Sequence, residues 1–168
     1  DFAQATRNSK PLACVYFDFY RFSDINNTHG HEAGNKALAL GFETVKKGLR
    51  DEFDTLARVG GDEGAILLPE AGKLAAEIMR DRIRKLFNNL TFDFEGKTIP
   101  LRLSVGSSYI LKEYLGKDAE VAFEKLLRNA DKSMYRDKSR QRKAERAELR
   151  KDLRIAKEMM LEELAKVE

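Results

Sequence analysis

Leu56-Ala57-Arg58-Val59-Gly60-Gly61-Asp62-Glu63-Gly64-Ala65-Ile66-Leu67-Leu68 is the stretch on which the fold of this 168-residue chain turns. Two short apolar runs, Leu56 to Val59 and Ala65 to Leu68, flank a glycine-rich turn at Gly60 to Gly64 and are closed by Pro69. That pattern predicts a β-hairpin in the middle of the chain. Upstream, Leu12-Ala13-Cys14-Val15-Tyr16-Phe17-Asp18-Phe19 is short, apolar and partly β-branched or aromatic, and reads as a buried strand. The polar stretch Arg21 to Gly30 reads as a loop holding at most a helical turn. From about His31 to Phe53 the spacing is helical, with Ala33, Ala37, Leu38, Leu40, Gly41, Val45 and Leu49 on one face. Downstream, a second helix is expected over about Ala71 to Asn88 with Leu74, Ile78, Ile83 and Phe87 inward. A turn at Glu95-Gly96, a strand from Leu101 to Ile110 and a third helix over about Asp118 to Arg136 complete the order. Strand, helix, hairpin, helix, strand is the βαββαβ pattern of an α+β fold. It implies a mostly antiparallel sheet with helices packed on one face.

Beyond Arg136 the composition changes. Residues 137–168 contain no Gly or Pro and consist mostly of helix formers. Leu149, Leu153, Ala156, Met160, Leu164 and Val167 follow at steps of three and four, a seam suited to packing. A long helix with a solvated charged face, a pairing coiled coil and a basic patch all fit this composition. Residues 136–154 carry nine Lys or Arg against four Asp or Glu, and the interleaved acids and missing aromatics speak against nucleic acid. The expected organisation is therefore one domain over 1–142 and a charged C-terminal helix over 143–168.

Apolar residues make up 42% and charged residues 35%, enough for a core and too ordered a composition for whole-chain disorder. No run approaches the length of a membrane-spanning helix, so no membrane partner is expected. The start shows no secretory signal pattern, and a reducing cytoplasmic setting fits the single Cys14, which excludes an internal disulfide and a multi-cysteine zinc site. A net charge of +3 does not by itself point to nucleic acid.

Three features converge on chemistry. Asp18 ends the first strand, Gly60-Gly61-Asp62-Glu63 forms the hairpin turn, and Lys138 and Arg142 lie one helical turn apart. Alone, each is ordinary: a loop cap, a turn, surface charge. Together they place two carboxylates where a cation must separate them, with hard oxygen ligands suited to Mg²⁺. Side-chain-free Gly60 and Gly61 let a bulky anion approach the backbone, and the paired cations clasp a polyphosphate. The combination indicates metal-assisted phosphoryl or nucleotidyl transfer. His29 and His31 have metal-like spacing, but no third nitrogen or sulfur ligand stands nearby, and Cys14 reads as an inert core residue.

Five stretches carry a family resemblance over about residues 12–142. They are Phe17-Asp18-Phe19-Tyr20-Arg21-Phe22, Ile25-Asn26-Asn27-Thr28-His29-Gly30-His31-Glu32-Ala33-Gly34-Asn35, Ala57 to Gly64, Leu103-Ser104-Val105-Gly106, and Asn129-Ala130-Asp131-Lys132-Ser133-Met134-Tyr135-Arg136-Asp137-Lys138. In this order and spacing the chain resembles the GGDEF family, the diguanylate cyclases. The resemblance implies an adenylyl-cyclase-like, ferredoxin-like palm. It also implies two facing domains that each hold one GTP, and closure of cyclic di-GMP with release of pyrophosphate. By position, Asp18 and Asp62 match the metal-binding acids and the Phe19 carbonyl a backbone ligand, for Mg²⁺ or alternatively Mn²⁺. Glu63 matches the second acid of the turn and, with Asp62, a catalytic position. Asn26 and Asn35 match guanine-reading positions, while Gly60, Gly61, Lys138 and Arg142 match the phosphate-binding surface. A homodimer is implied as the active form.

The chain departs from the family pattern at several points. Tyr20 and Ser23 replace an acid and a lysine of Asp-x-Asp-x-Phe-Lys, Gly64 replaces the Phe of the signature turn, and Gln141 replaces a Gly. An Asp-x-Leu-Thr-x-Leu-x-Asn-Arg segment near the start is not found. Asn35 replaces an acid. A carboxylate offers only acceptors to guanine, whereas an amide offers one acceptor and one donor and suits adenine, so ATP or a mixed product enters as an alternative to GTP. A catalytically retired domain that binds a nucleotide or a protein partner is the competing reading. In the family's product-inhibition motif, Asp54 fits the acid, but Asp51 stands where an arginine belongs and Arg50 is one position early. Feedback is expected to be weak or absent.

Overall fold

The structure is a computed structural model that describes residues 10–50, 52–110 and 119–164. Asp51, Tyr114, Asp118 and Val167 lie outside the described residues. In chain order the elements are β1 (Leu12–Phe19), α1 (Phe22–Lys46), β2 (Thr55–Arg58), β3 (Glu63–Pro69), α2 (Lys73–Leu86), β4 (Thr91–Phe94), β5 (Lys97–Pro100), β6 (Leu103–Ile110) and α3 (Ala119–Leu164). The main sheet has the order β2-β3-β1-β6, and every pairing in it is antiparallel.

All eight residues of central β1 are buried. Ala13, Val15, Phe17 and Phe19 join a core with α1 and α2, while Leu12, Cys14 and Tyr16 meet Ala122, Leu126, Ala130 and Met134 of α3. Helices therefore cover both faces of the sheet, not one. An unbroken apolar run is what a strand covered on both sides requires, in place of strict alternation. Burial pushes the Cys14 thiol up to about 12, which keeps it protonated and inert.

Helix α1 starts at Phe22 instead of His31. The polar stretch before Gly30 is helical, and Gly30 (φ 83°, ψ 166°) breaks the helix into two segments. Only Phe22 and Ile25 of the first segment reach the core, too few to show a period. In α2 the inward residues are Ala76, Met79 and Ile83, followed by Phe87, and Leu74 and Ile78 are 69% and 51% exposed. Two apolar stripes compete on this helix, and the one bearing small Ala76 lies against the sheet. Tyr109 on β6 is 39% exposed. An unforeseen hairpin joins β4 to β5 through Glu95 (φ 47°) and Gly96 (φ 74°), the two positive angles of a type I′ turn. Its Phe92 and Ile99 add to the core.

Helix α3 runs through Arg136 without interruption for 46 residues, containing neither Gly nor Pro. It also closes the free edge of β6. The Ser107 N–H donates to Ser133 Oγ (3.3 Å), the Val105 N–H donates to Asp137 Oδ2 (3.0 Å), and Gln141 Nε2 donates to the Leu103 carbonyl (3.0 Å). Steps of four along a helix advance about 6 Å, close to two residues of strand, so the two rows stay matched. Gln141, unexpected from the family pattern, is the last rung. Side chains thereby satisfy an edge that otherwise invites pairing.

Gly64 has an equally local reason. It faces Phe17 across the β1–β3 pair, and a Cβ at this position would fall 2.3 Å from the Phe17 ring. The volume that a Phe at 64 would supply comes from Phe17 on the neighbouring strand. Gly64→Ala is expected to destabilise by roughly 1–3 kcal/mol in urea unfolding. Combining it with Phe17→Leu should lose less than the sum of the two single changes; strict additivity would separate the two sites.

Candidate active site

The C-terminal end of β1 carries Asp18, 3% exposed, directly opposite Glu63 on β3 and Ser104 on β6. The Phe19 N–H donates to the Asp62 carbonyl at 3.0 Å, which ties the strand end to the signature turn. Lys138 Nζ donates to Asp18 Oδ2 at 2.7 Å. Asp18 Oδ1 is buried and has no hydrogen-bond partner among the described residues. Burial holds the Asp18 carboxyl above the usual carboxylate range; Lys138 pulls it back down, and the negative charges of Asp62 and Glu63 push it up again.

The turn is braced from both sides. The N–H groups of Val59 and Gly60 donate to the Glu63 carbonyl at 3.0 and 3.4 Å. Arg58 Nε and Nη2 donate to the carbonyls of Gly60 (3.2 Å) and Gly61 (2.6 Å). Gly61 is exposed, and a Cβ there would touch nothing within 4 Å, so the backbone offers an open approach. Tyr16 Oη donates to Glu63 Oε2 at 3.1 Å. Burial and then the Glu63 carboxylate raise the Tyr16 hydroxyl well above its ordinary value, which keeps it a donor.

Sequence spacing singled out neither Arg58 nor Glu145. Glu145 lies on α3, where its carboxylate accepts from Tyr20 Oη (2.8 Å) and from Arg21 and Arg102 (3.4 Å each). Burial, then the Glu145 carboxylate, raises the Tyr20 hydroxyl. Tyr20, where the family has an acid, therefore anchors α3 to the strand end. The only signal for Glu145 was an acid among basic residues seven positions beyond Lys138. Arg142 is exposed and lines a cleft of about 760 Å³ with Tyr20, Arg21, Ser23, Glu145 and Leu149.

Asn26 and Asn35 lie on the two segments of α1. Asn26 Oδ1 lies 2.0 Å from where a Gly34 Cβ would stand, so Gly34 makes room for this amide, and Asn35 is exposed beside it. The fold thus gathers Asp18, Phe19, Asp62, Glu63 and Lys138 at the strand end and turn, and holds the two Asn residues on the adjoining helix. Arg50 engages Asp54 through two bonds of 2.6 and 3.0 Å, an arrangement that occupies its guanidinium.

The donor set suits a hard divalent cation. Asp18 keeps a buried oxygen that has no partner among the described residues, with the carboxylates of Asp62 and Glu63 near enough to act on it. Among the described residues no three His, Cys, Asp or Glu side chains converge on one point, so protein carboxylates alone do not complete a coordination shell. Also among the described residues, no helix is long and apolar enough to cross a membrane.

A family model described as diguanylate cyclase, GGDEF domain, matches residues 1–144. The probable diguanylate cyclase DgcF of Escherichia coli K12 is 30% identical over 132 residues, covering 79% of this chain and 41% of that protein. Diguanylate cyclase A of Treponema denticola is 34% identical over 128 residues, covering 76% of this chain and 32% of that protein. The chain thus spans less than half the length of these relatives. Among solved structures, the GGDEF domain of YfiN (TpbB) from Pseudomonas aeruginosa superposes with a TM-score of 0.69 at 29% identity, covering 83% of this chain and 85% of that one. The active GGEEF domain of a diguanylate cyclase from Vibrio cholerae gives 0.66 at 26% identity, covering 80% and 81%.

Proposed function

Since the chain belongs to the GGDEF family of diguanylate cyclases, we propose that it condenses two molecules of GTP into cyclic di-GMP with release of pyrophosphate. The observation that carries the reading is Asp18, a buried carboxylate with one oxygen on Lys138 and the other unpartnered. A fold maintains such a group at a cost, and a ligand is the reason to keep it. Asp18, Asp62 and the Phe19 carbonyl would hold Mg²⁺, or Mn²⁺ in its place. Such an ion, when bound, neutralises phosphate charge as the bond to the leaving group breaks.

The chain's own residues supply the rest. Lys138 and Arg142 offer two cations, one helical turn apart, to the triphosphate. Exposed Gly61 gives the backbone access to the phosphates. Glu63, fixed by Tyr16, takes the proton of the attacking 3′-hydroxyl as its oxygen bonds to the α-phosphorus and pyrophosphate departs. The same step taken twice closes the ring. Each copy holds one nucleotide, so the active form is a homodimer. Asn26, seated over Gly34, and Asn35 face the base; the amide at 35 accommodates ATP or a mixed pair more readily than an acid would.

Incubation with Mg²⁺ and GTP, ATP or both, with products identified by mass spectrometry, tests this. Cyclic di-GMP that vanishes in Asp62→Ala is the expected result, with adenine-containing product where Asn35 relaxes the choice. Strict GTP use would remove the role given to Asn35. Ser23 and the engaged Tyr20 favour a second reading, a nucleotide-binding signalling module without turnover. Bound GTP with no product at high protein concentration would select it.

A further inference from the structure

Arg21 stands two residues beyond β1, and its side chain is 59% exposed in the cleft that it lines with Ser23 and Arg142. Its guanidinium rests on Asp24 and, at 3.4 Å, on Glu145. The side chains of these two acids are themselves 50% and 34% exposed. Ion pairs this open to water hold weakly and exchange readily for a better partner. Releasing Arg21 strands neither acid. Glu145 keeps Tyr20 Oη at 2.8 Å and Arg102 at 3.4 Å, and water reaches Asp24. Arg21 also takes the left-handed backbone conformation (φ 59°, ψ 33°). A residue with a Cβ is strained there, and glycine is the relaxed choice. Strain of this kind, kept beside a cleft, points to a use for the side chain.

Position along α3 says which group the guanidinium meets. Lys138 sits on Asp18. Arg142 lies one helical turn, about 6 Å, farther along the axis, and Glu145 about 10 Å from Lys138. With the reacting phosphorus at Asp18 and Asp62, a triphosphate laid along this row meets Lys138, then Arg142, and ends beside Arg21. Ser23, which stands where the family pattern has a lysine, adds no charge at that end. A guanidinium suits the task, because its paired N–H donors match two phosphate oxygens at once. We propose that Arg21 is a substrate-binding residue that leaves Asp24 and Glu145 to close on the terminal phosphate of a nucleoside triphosphate. The assignment rests on the nucleotide-condensing reading of the site, and it makes the cleft selective for triphosphates over diphosphates.

Calorimetric titration of the full chain with Mg²⁺ and either GDP or a GTP analogue tests it. The analogue carries a methylene between its α- and β-phosphorus and cannot react there; the corresponding adenine nucleotides cover the choice of base. Arg21→Ala should weaken the triphosphate about 10- to 100-fold and the diphosphate hardly at all. Moving the cation, Arg21→Ala with Ser23→Lys, should recover most of the loss. Arg21→Gly should lose the same affinity while the nucleotide-free protein melts no lower than wild type, because glycine relaxes the left-handed backbone. An affinity that Arg21→Ala leaves unchanged, or an equal loss for the diphosphate, overturns the role of Arg21 and leaves the reading of the site standing. A lower melting temperature for Arg21→Gly with unchanged affinity makes Arg21 a structural tie to α3 and likewise overturns it. A wild-type chain that binds none of the nucleotides overturns both.

Discussion

Asp18→Asn is expected to lower cyclic dinucleotide formation by roughly 10²–10³-fold, about 3–4 kcal/mol in the barrier, while leaving the protein as stable as before or more so. The two effects have one origin. The carboxylate is buried, one oxygen lacks a partner, and its protonation is raised by burial despite Lys138. An amide keeps the size of the group, and its carbonyl still accepts from Lys138. It removes the charge that a metal–phosphate complex requires. The pH dependence follows from the direction of the shift. A carboxyl whose native value lies above its unfolded value binds its proton more tightly in the folded chain. Its favourable contribution is complete below the ordinary carboxylate range and is lost as pH rises through the native value. In chelator, melting temperatures of wild type and variant should agree in acid and separate toward neutral pH, with the variant higher. A variant that is less stable at neutral pH would show that the Lys138 contact outweighs burial.

The largest loss of stability is expected at Gly106. A Cβ there would fall 2.0 Å from the Met134 nitrogen and 2.4 Å from the Ala130 carbonyl oxygen. Both are backbone atoms of α3 and cannot swing aside as a flexible side chain does. Gly106→Ala must therefore lift the helix from β6, at a cost of about 3 kcal/mol or more. For a chain of this size that is a fall of roughly 10 °C in Tm by thermal unfolding. Lys138 lies one turn beyond Met134, so turnover should fall with stability. Gly61→Ala is the control for stability, since a Cβ there meets nothing within 4 Å, and it should change unfolding by less than about 1 kcal/mol. Equal effects at the two glycines would contradict the close approach of α3.

The parts of the molecule readable from residues are those where one physical signal dominated. An unbroken apolar run marked β1, and paired glycines between apolar runs marked the signature hairpin. Helix α1 hid its first segment because polar residues cover it and only Phe22 and Ile25 reach inward. The β4–β5 hairpin was missed because strands of four residues show too little alternation, leaving its Glu95-Gly96 turn as the only sign. In α2, sequence showed apolar stripes but not which of them the sheet would accept. The site divides in the same way. Asp18, Asp62 and Lys138 stand out as charges at element ends where the fold must bring them together. Arg58 and Glu145 look like ordinary surface charge until the turn carbonyls and Tyr20 appear beside them.

The length of α3 has a hydrodynamic consequence. Forty-six residues of helix extend about 69 Å, whereas a compact chain of this size has a radius of gyration of about 15 Å. The protein is a globular head on a projecting rod, and friction on the rod slows its diffusion and advances its elution. A single copy will pass a sizing column like a heavier sphere. Elution volume therefore overstates mass before any pairing occurs, and sedimentation coefficient and Stokes radius should depart from the spherical relation in opposite senses. Truncation after Glu145 should bring the two back together.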